Sequence, residues 1–276
     1  MAVCVKQVST YGIPVLEIIA ARALVSLIIS YVDVKRKKLS VWGNNKPLLI
    51  SRGFVGAFAL ICVYYALITL PLAEATLIQY LYPAFTAVIA LIFLKEKVHL
   101  STILCIVLSL IGLSVLVLPE MLLTNQVLHD AVQAHQTELP SFSVIVAISG
   151  ALGSAVAYVL VRKLSQSEDS SVIIFYFPLI ALPVAILFPG ESFILPNLEA
   201  LGLLILVGLF TQVGQVGLTK AMQTDTASKA TAYSYVQVIF AVILGWVFFA
   251  EAPSVWFWVG GSMIMTGALV NTLWKH

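Results

Sequence analysis

Long apolar runs separated by short polar segments make up nearly the whole chain, and this alternation constrains its fold more than any single motif. A helix needs roughly 20 apolar residues to cross the hydrocarbon core of a bilayer. Such runs are read at 14–32, 48–70, 73–94, 100–118, 143–161, 172–188, 198–221, 227–249 and 255–273. The fragment Met1–Gln7 ahead of them is too short to span. With 61% hydrophobic and 10% charged residues over 276 positions, and a mean hydropathy of +1.03, the chain cannot dress a soluble enzyme in a polar surface. Disordered, collagenous and coiled-coil classes fail on the same composition. The expected fold is an all-α polytopic bundle of about ten transmembrane helices, the first truncated.

Charge orients this bundle. If the helices alternate in direction, 15 Lys and Arg residues sort so that all but Lys6 and Arg22 lie on one side. They include Lys35, Arg36, Lys37, Lys38, Lys46 and Arg52 in the first long connection, Lys95 and Lys97, Arg162 and Lys163, Lys220 and Lys229, and Lys275. Cationic loops mark the cytoplasmic face, which puts the C-terminus there too. The connection 119–142 then lies outside as an extracytoplasmic loop. It carries Glu120, Asp130 and Glu138 and no Lys or Arg.

The chain also repeats itself. Tyr80, Phe85, Phe93 and Glu96 match Tyr235, Phe240, Phe248 and Glu251 at one constant offset, which extends to Gly53 with Gly208, Ala66 with Ala221, Ala75 with Ala230 and Gly112 with Gly267. The repeats are read as 1–118 and 143–276. Each holds about five helices, an odd number, so the second must cross the membrane in the opposite sense. Inverted repeats are a signature of secondary transporters, whose substrate site sits near the midplane between the halves. At the same offset Met1–Leu24 aligns with Val156–Leu179, so helix 1 lacks its first part, and a start codon further upstream or a truncated chain is expected.

The segment from Ala66 through Thr69, Pro71, Glu74 and Gln79 to Tyr82-Pro83-Ala84-Phe85, followed by Phe93-Leu94-Lys95-Glu96, resembles the drug/metabolite transporter superfamily, EamA type. Ala20-Ala21-Arg22 resembles its Arg-containing second helix, and Phe249-Ala250-Glu251 its second-repeat ending. The resemblance covers nearly the whole chain. It implies ten helices, a central cavity to which both repeats contribute, and export or exchange of metabolites such as amino acids, carboxylates, nucleotide conjugates or drugs, from the cytoplasmic membrane of a bacterium.

Candidate substrate-binding residues follow from polarity in an apolar setting. Arg22 lies roughly 12 Å inside its helix from Pro14, where an Arg costs about 2.5–3.5 kcal/mol or more. Glu17 is on another helix face, so Arg22 must find an acceptor on another helix, in the cavity or on a substrate. Gln79, Tyr80 and Tyr82, with Thr86, form a polar stretch mirrored by Thr231, Ser234, Tyr235 and Gln237. These side chains either line a cavity or hydrogen-bond between helices. Tyr64 and Gln212 complete the set. Gln212 shares a face with Gln215 among Gly208, Gly214 and Gly217, which also fits close helix packing. Glu96 and Glu251 end their helices and are expected to hold the turn into the next one; a gating or proton-coupling role is the alternative. Pro83 should kink its helix, as should Pro178 and Pro183 theirs.

No Walker motif is present, so ATP is not expected to drive the protein directly. HExxH and GxSxG are missing, which argues against an enzyme; a scaffold or an intramembrane enzyme is the competing class. Cys4, Cys62 and Cys105 lack any metal or CxxC spacing, and neither metal nor cofactor is expected. Expected partners are a small-molecule substrate and the lipid bilayer, with no nucleic acid. Ala147, Ala151 and Ala155 allow a close helix contact that is internal or belongs to a homodimer.

Overall fold

The computed structural model of the chain describes residues 2–9, 11–70, 72–131, 141–187, 195–249 and 255–274. All regular elements among them are helices: α1 Ala2–Ser9, α2 Val15–Arg36, α3 Lys46–Thr69, α4 Leu72–Gln79, α5 Tyr82–Ile89, α6 Leu100–Ala131, α7 Ser141–Leu164, α8 Ser170–Leu187, α9 Leu198–Thr224, α10 Ala227–Ala232, α11 Val236–Phe249 and α12 Val255–Leu273. Four of the described helices are long and apolar enough to cross a membrane: Lys46–Ala66, Phe142–Leu164, Ser170–Leu187 and Leu198–Thr224. Large apolar side chains such as Phe54, Ile92, Phe93, Val213 and Trp258 face outward, Phe93 with 75% of its surface exposed. Outward apolar surface on this scale fits a bilayer rather than water.

Two runs read as single helices are broken. The run 73–94 is interrupted at Tyr80–Leu81, and α5 restarts with Pro83 in its first turn. A proline has no N–H to return to the carbonyl four residues back, so the ladder stops there. The helix then ends in a π-helical turn over Ala90–Leu94, and Lys95 takes a left-handed conformation (φ 53°). The run 227–249 tightens into a 3₁₀ turn at Tyr233–Tyr235 between α10 and α11. By contrast α8 runs through both Pro178 and Pro183. Helix α6 continues to Ala131, into the segment read as the outer loop. Pro119 does not end it, and the following Glu-Met-Leu-Leu are good helix formers. Glu251 and Lys275 lie outside the described residues.

The chain divides into two compact units. The first comprises Met1–Phe58 with Ala157–Thr226. In it α2 packs on α8 and α9, and α1 on α9. Its core gathers Val8, Ile13, Ile18, Ala200, Leu204 and Val207. Close approach depends on glycine: a Cβ on Gly208 would meet Val25 at 2.5 Å, and one on Gly53 would collide with Ile180. The connections at one end are tied by Glu168, whose Oε1 accepts the N–H groups of Asn44 (2.6 Å) and Asn45 (2.7 Å). Lys37 donates to Asp169 (3.0 Å) and to Ser171 (2.7 Å).

The second unit comprises Ala59–Val156 with Ala227–His276. Its main contacts are α6 on α12 and α5 on α10. At the α6–α12 crossing a Cβ on Gly112 would lie 2.5 Å from the Gly260 carbonyl oxygen. Thr102 and Asn271 bridge the same pair of helices at 3.0 Å. Ala87, Cys105, Ile106, Ala232, Tyr235 and Ile264 form the core there.

Candidate functional site

The two helix breaks meet in the second unit. Opening the chain at Tyr80–Leu81 turns the Tyr80 carbonyl outward, and the Tyr235 hydroxyl donates to it at 2.8 Å. The two rings stack with centroids 5.9 Å apart, and Tyr82 stacks with Tyr80 at 6.5 Å. Gln237 Nε2 donates to the Tyr80 hydroxyl at 2.8 Å. Tyr235 is fully buried, whereas Gln237 is exposed. Four of the sequence-derived candidates thus form one contact network of phenol and amide groups, able to offer hydroxyls and aromatic faces to a small solute.

The other candidates of this unit contribute differently. Thr231 donates to the carbonyls of Ala227 (2.8 Å) and Ser228 (3.2 Å), and Ser234 to that of Thr231 (2.5 Å). Their protons are committed to the α10 backbone, which leaves only acceptor capacity. Thr86 is buried and donates to the Tyr82 carbonyl. Tyr64 on α3 and Gln79 at the end of α4 are half-buried and are not drawn into the tyrosine network.

Glu96 does more than hold the turn into the next helix. Its Oε2 accepts the N–H of Ala227, the first residue of α10, at 2.9 Å. The donors of a helix's first turn lack intrahelical partners, and a carboxylate there satisfies one and favours the dipole.

Arg22 and Gln212 belong to the first unit. Arg22, Ser26 and Ser30 are spaced four apart along α2 and all are buried. Ser26 donates to Gln212 Oε1 at 2.5 Å, and Gln212 Nε2 donates to the Ser30 hydroxyl at 2.9 Å. The Gln212 amide is therefore committed to joining α9 to α2, directly beside the Gly208–Val25 contact. Arg22, one turn further along, makes no ion pair with a carboxylate among the described residues.

Three functional candidates escaped sequence reasoning. Ser26 and Ser30 lie at the helical spacing that Arg22 sets. Arg52 was read with the loop cations, yet it is 4% exposed. Its guanidinium lies 5.0 Å from the Phe177 ring centre, and its Nε and Nη1 have no hydrogen-bond partner. The Tyr158 ring feels the charge of both Arg52 and Arg22. No group of three or more metal-ligating side chains occurs among the described residues.

Comparison with known proteins gives this geometry a family. The model of the EamA-like transporter family matches residues 1–118 and 141–273. The chain belongs to that family. The transporter is 27% identical to the pseudopaline exporter CntI of Pseudomonas aeruginosa over 98% of its own length and 89% of the relative's. It is 31% identical to solute carrier family 35 member G1 of Mus musculus, over 97% of its length and 73% of the relative's. A riboflavin transporter of Brucella anthropi is 25% identical over 74% of the chain and 69% of the relative. A solved crystal structure superposes with a TM-score of 0.79 at 18% identity, covering 99% of this chain and 91% of the other, which shows the shared fold.

Proposed function

We propose that this chain is a secondary carrier that exports or exchanges a small anionic or polar metabolite by alternating access, with neither ATP nor an enzymatic step. The observation that carries the reading is Arg22, a buried cation on a polar stripe of α2 with no carboxylate ion pair among the described residues. An ionisable group inside a membrane protein is expensive and marks a solute path by default. Its planar fork suits a carboxylate or phosphate group. In the other compact unit, Tyr80, Tyr82, Tyr235 and Gln237 supply stacking faces and hydrogen bonds suited to a polar solute. Tyr64, Gln79, Thr231 and Ser234 add acceptors and apolar edge, while Gln212 holds the helix that carries Arg22 in register.

Duplication of the chain supports alternating access. Helix α2 begins at residue 15 and α8 at 170, and α6 begins at 100 and α12 at 255, the same spacing of 155 that separates Tyr80 from Tyr235. Contacts follow suit: Gly53 packs on Ile180, and Gly208 packs on Val25. Two repeats of 1–118 and 143–276, run through the membrane in opposite senses, can exchange roles between inward and outward states. The asymmetry of the loop cations favours a cytoplasmic C-terminus, and the family resemblance favours the cytoplasmic membrane of a bacterium. One relative is named as an exporter, which favours outward movement.

Flux into everted membrane vesicles tests this. A panel of amino acids, carboxylates, phosphate esters, nucleosides and cationic drugs is followed with and without a protonophore. Saturable accumulation of one class, weakened in Arg22→Lys because a point charge replaces a bidentate fork, is expected. Unsaturable uptake of every compound would overturn the carrier reading.

A further inference from the structure

We propose that Arg52, with Arg22 and Tyr158, forms a site for the oxyanion group of a carboxylate or phosphate. This rests on the carrier reading for its role in transport, but not for the binding itself. The starting point is an unmet need. Arg52 is buried, and two of its three nitrogens have no hydrogen-bond partner among the described residues. Interior guanidinium groups are almost always paired, because removing one from water without a counter-charge is costly.

The usual remedies are spoken for. Among the described residues no carboxylate pairs with Arg52. Asp33 accepts from Ser171 and faces Lys37. Glu168 is held by the backbone of Asn44 and Asn45. Asp169 is engaged by Lys37 and by the Ser171 N–H. The Arg52 guanidinium carbon lies over the Phe177 ring, 5.0 Å from its centroid. A contact with a ring uses the charge but no N–H donor, so Nε and Nη1 keep their hydrogen-bonding capacity for a planar or tetrahedral oxyanion. The glycine at position 56 supports the same reading, since a Cβ there would lie 2.5 Å from Arg52 Nη1. The small residue leaves the guanidinium its place.

Tyr158 on α7 lies within electrostatic range of both arginines. Two buried cations within electrostatic range of one phenol favour an anion there, in a unit whose acids Asp33, Glu168 and Asp169 are engaged by other groups. The complementary ligand is a small anion with at least two oxygens on one centre, best of all one with two anionic groups. The same chemistry is carried by a free solute and by an anionic lipid headgroup.

The test uses the full chain in nanodiscs of pure phosphatidylcholine, with succinate and inorganic phosphate as probes and binding read by titration calorimetry. Saturable binding of one probe by the wild type is expected, weakened at least tenfold in Arg52→Gln, less in Arg52→Lys, and several-fold in Tyr158→Phe. Arg52→Met, which fills the same space without charge, keeps the test open should the Gln variant fold poorly. A monodisperse Arg52→Gln or Arg52→Met that binds within twofold of wild type overturns the proposal. Adding phosphatidylglycerol to the discs separates the sources. If the solutes fail but phosphatidylglycerol stabilises the wild type and not Arg52→Met, the oxyanion site stands with a lipid as its ligand. If nothing anionic acts through Arg52, it falls. Arg52-dependent binding without vesicle flux would refute the carrier and leave this site intact; saturable flux untouched by Arg52 would do the reverse.

Discussion

Replacing Arg52 by Met should make the protein more stable. Each of the two unpartnered nitrogens forfeits hydration at about 1–3 kcal/mol, and the contact with Phe177 returns about 0.5–2 kcal/mol. Met keeps the apolar stem and fills irregular space well. The balance is a gain of about 0–5.5 kcal/mol on removing the charge. Tryptophan fluorescence during thermal unfolding in nanodiscs reads it as a rise of several degrees. A ligand reverses the order: at about 100 times its Kd a bound anion adds about 2.7 kcal/mol to the wild type, and it should add nothing to the Met variant. An unliganded Met variant that unfolds at a lower temperature than the wild type would refute the reasoning, because it would mean that Arg52 is held by interactions that stabilise the fold.

Gly112→Ala should destabilise by about 1–3 kcal/mol through overpacking, since its Cβ meets a backbone carbonyl of Gly260 that cannot step aside; Gly53→Ala should instead be relieved by shortening Ile180 to Val. Unfolding midpoints of the two single variants and the Gly53→Ala/Ile180→Val double variant check this. Glu96→Ala removes the carboxylate from the α10 N-terminus and should cost about 0.5–2 kcal/mol, with Glu96→Gln recovering part of it in the same assay. Burial alone would raise the Asp169 carboxyl, but the Ser171 N–H and the Lys37 ammonium outweigh it and hold it below its ordinary value. A depressed carboxyl stabilises the fold above its unfolded value near 3.8 and loses that contribution as pH falls through the lower folded value. Acid unfolding of Asp169→Asn should therefore be less steep below about pH 4 than that of the wild type.

Much of the architecture was readable because membrane helices announce themselves by length. The runs read at 100, 198, 227 and 255 begin where α6, α9, α10 and α12 begin. The break at Tyr80–Leu81 had a local cause in Pro83. The one at Tyr233–Tyr235 had none, as no proline or glycine marks it; only its position relative to the first break could have suggested it. The tyrosine network was half legible: the residue types stood out, but which tyrosine meets which depends on two interruptions of the helix. Arg52 was missed because a cation near a span end normally reaches water. The span read from Leu48 already contained it, and its burial follows from Phe177 on α8, far away in sequence.

Tyr80 touches Tyr235, the residue 155 positions on. If the halves descend from one ancestral chain that paired with a copy of itself, this contact was once a residue meeting its own twin, and every mutation there struck both sides together. Joining the halves in one chain released that constraint. Tyr82 and Gln237, again 155 apart, both lie against Tyr80, yet one is a phenol and the other an amide. Two side chains that began as twins have diverged around one ring, which two copies of a single chain cannot do.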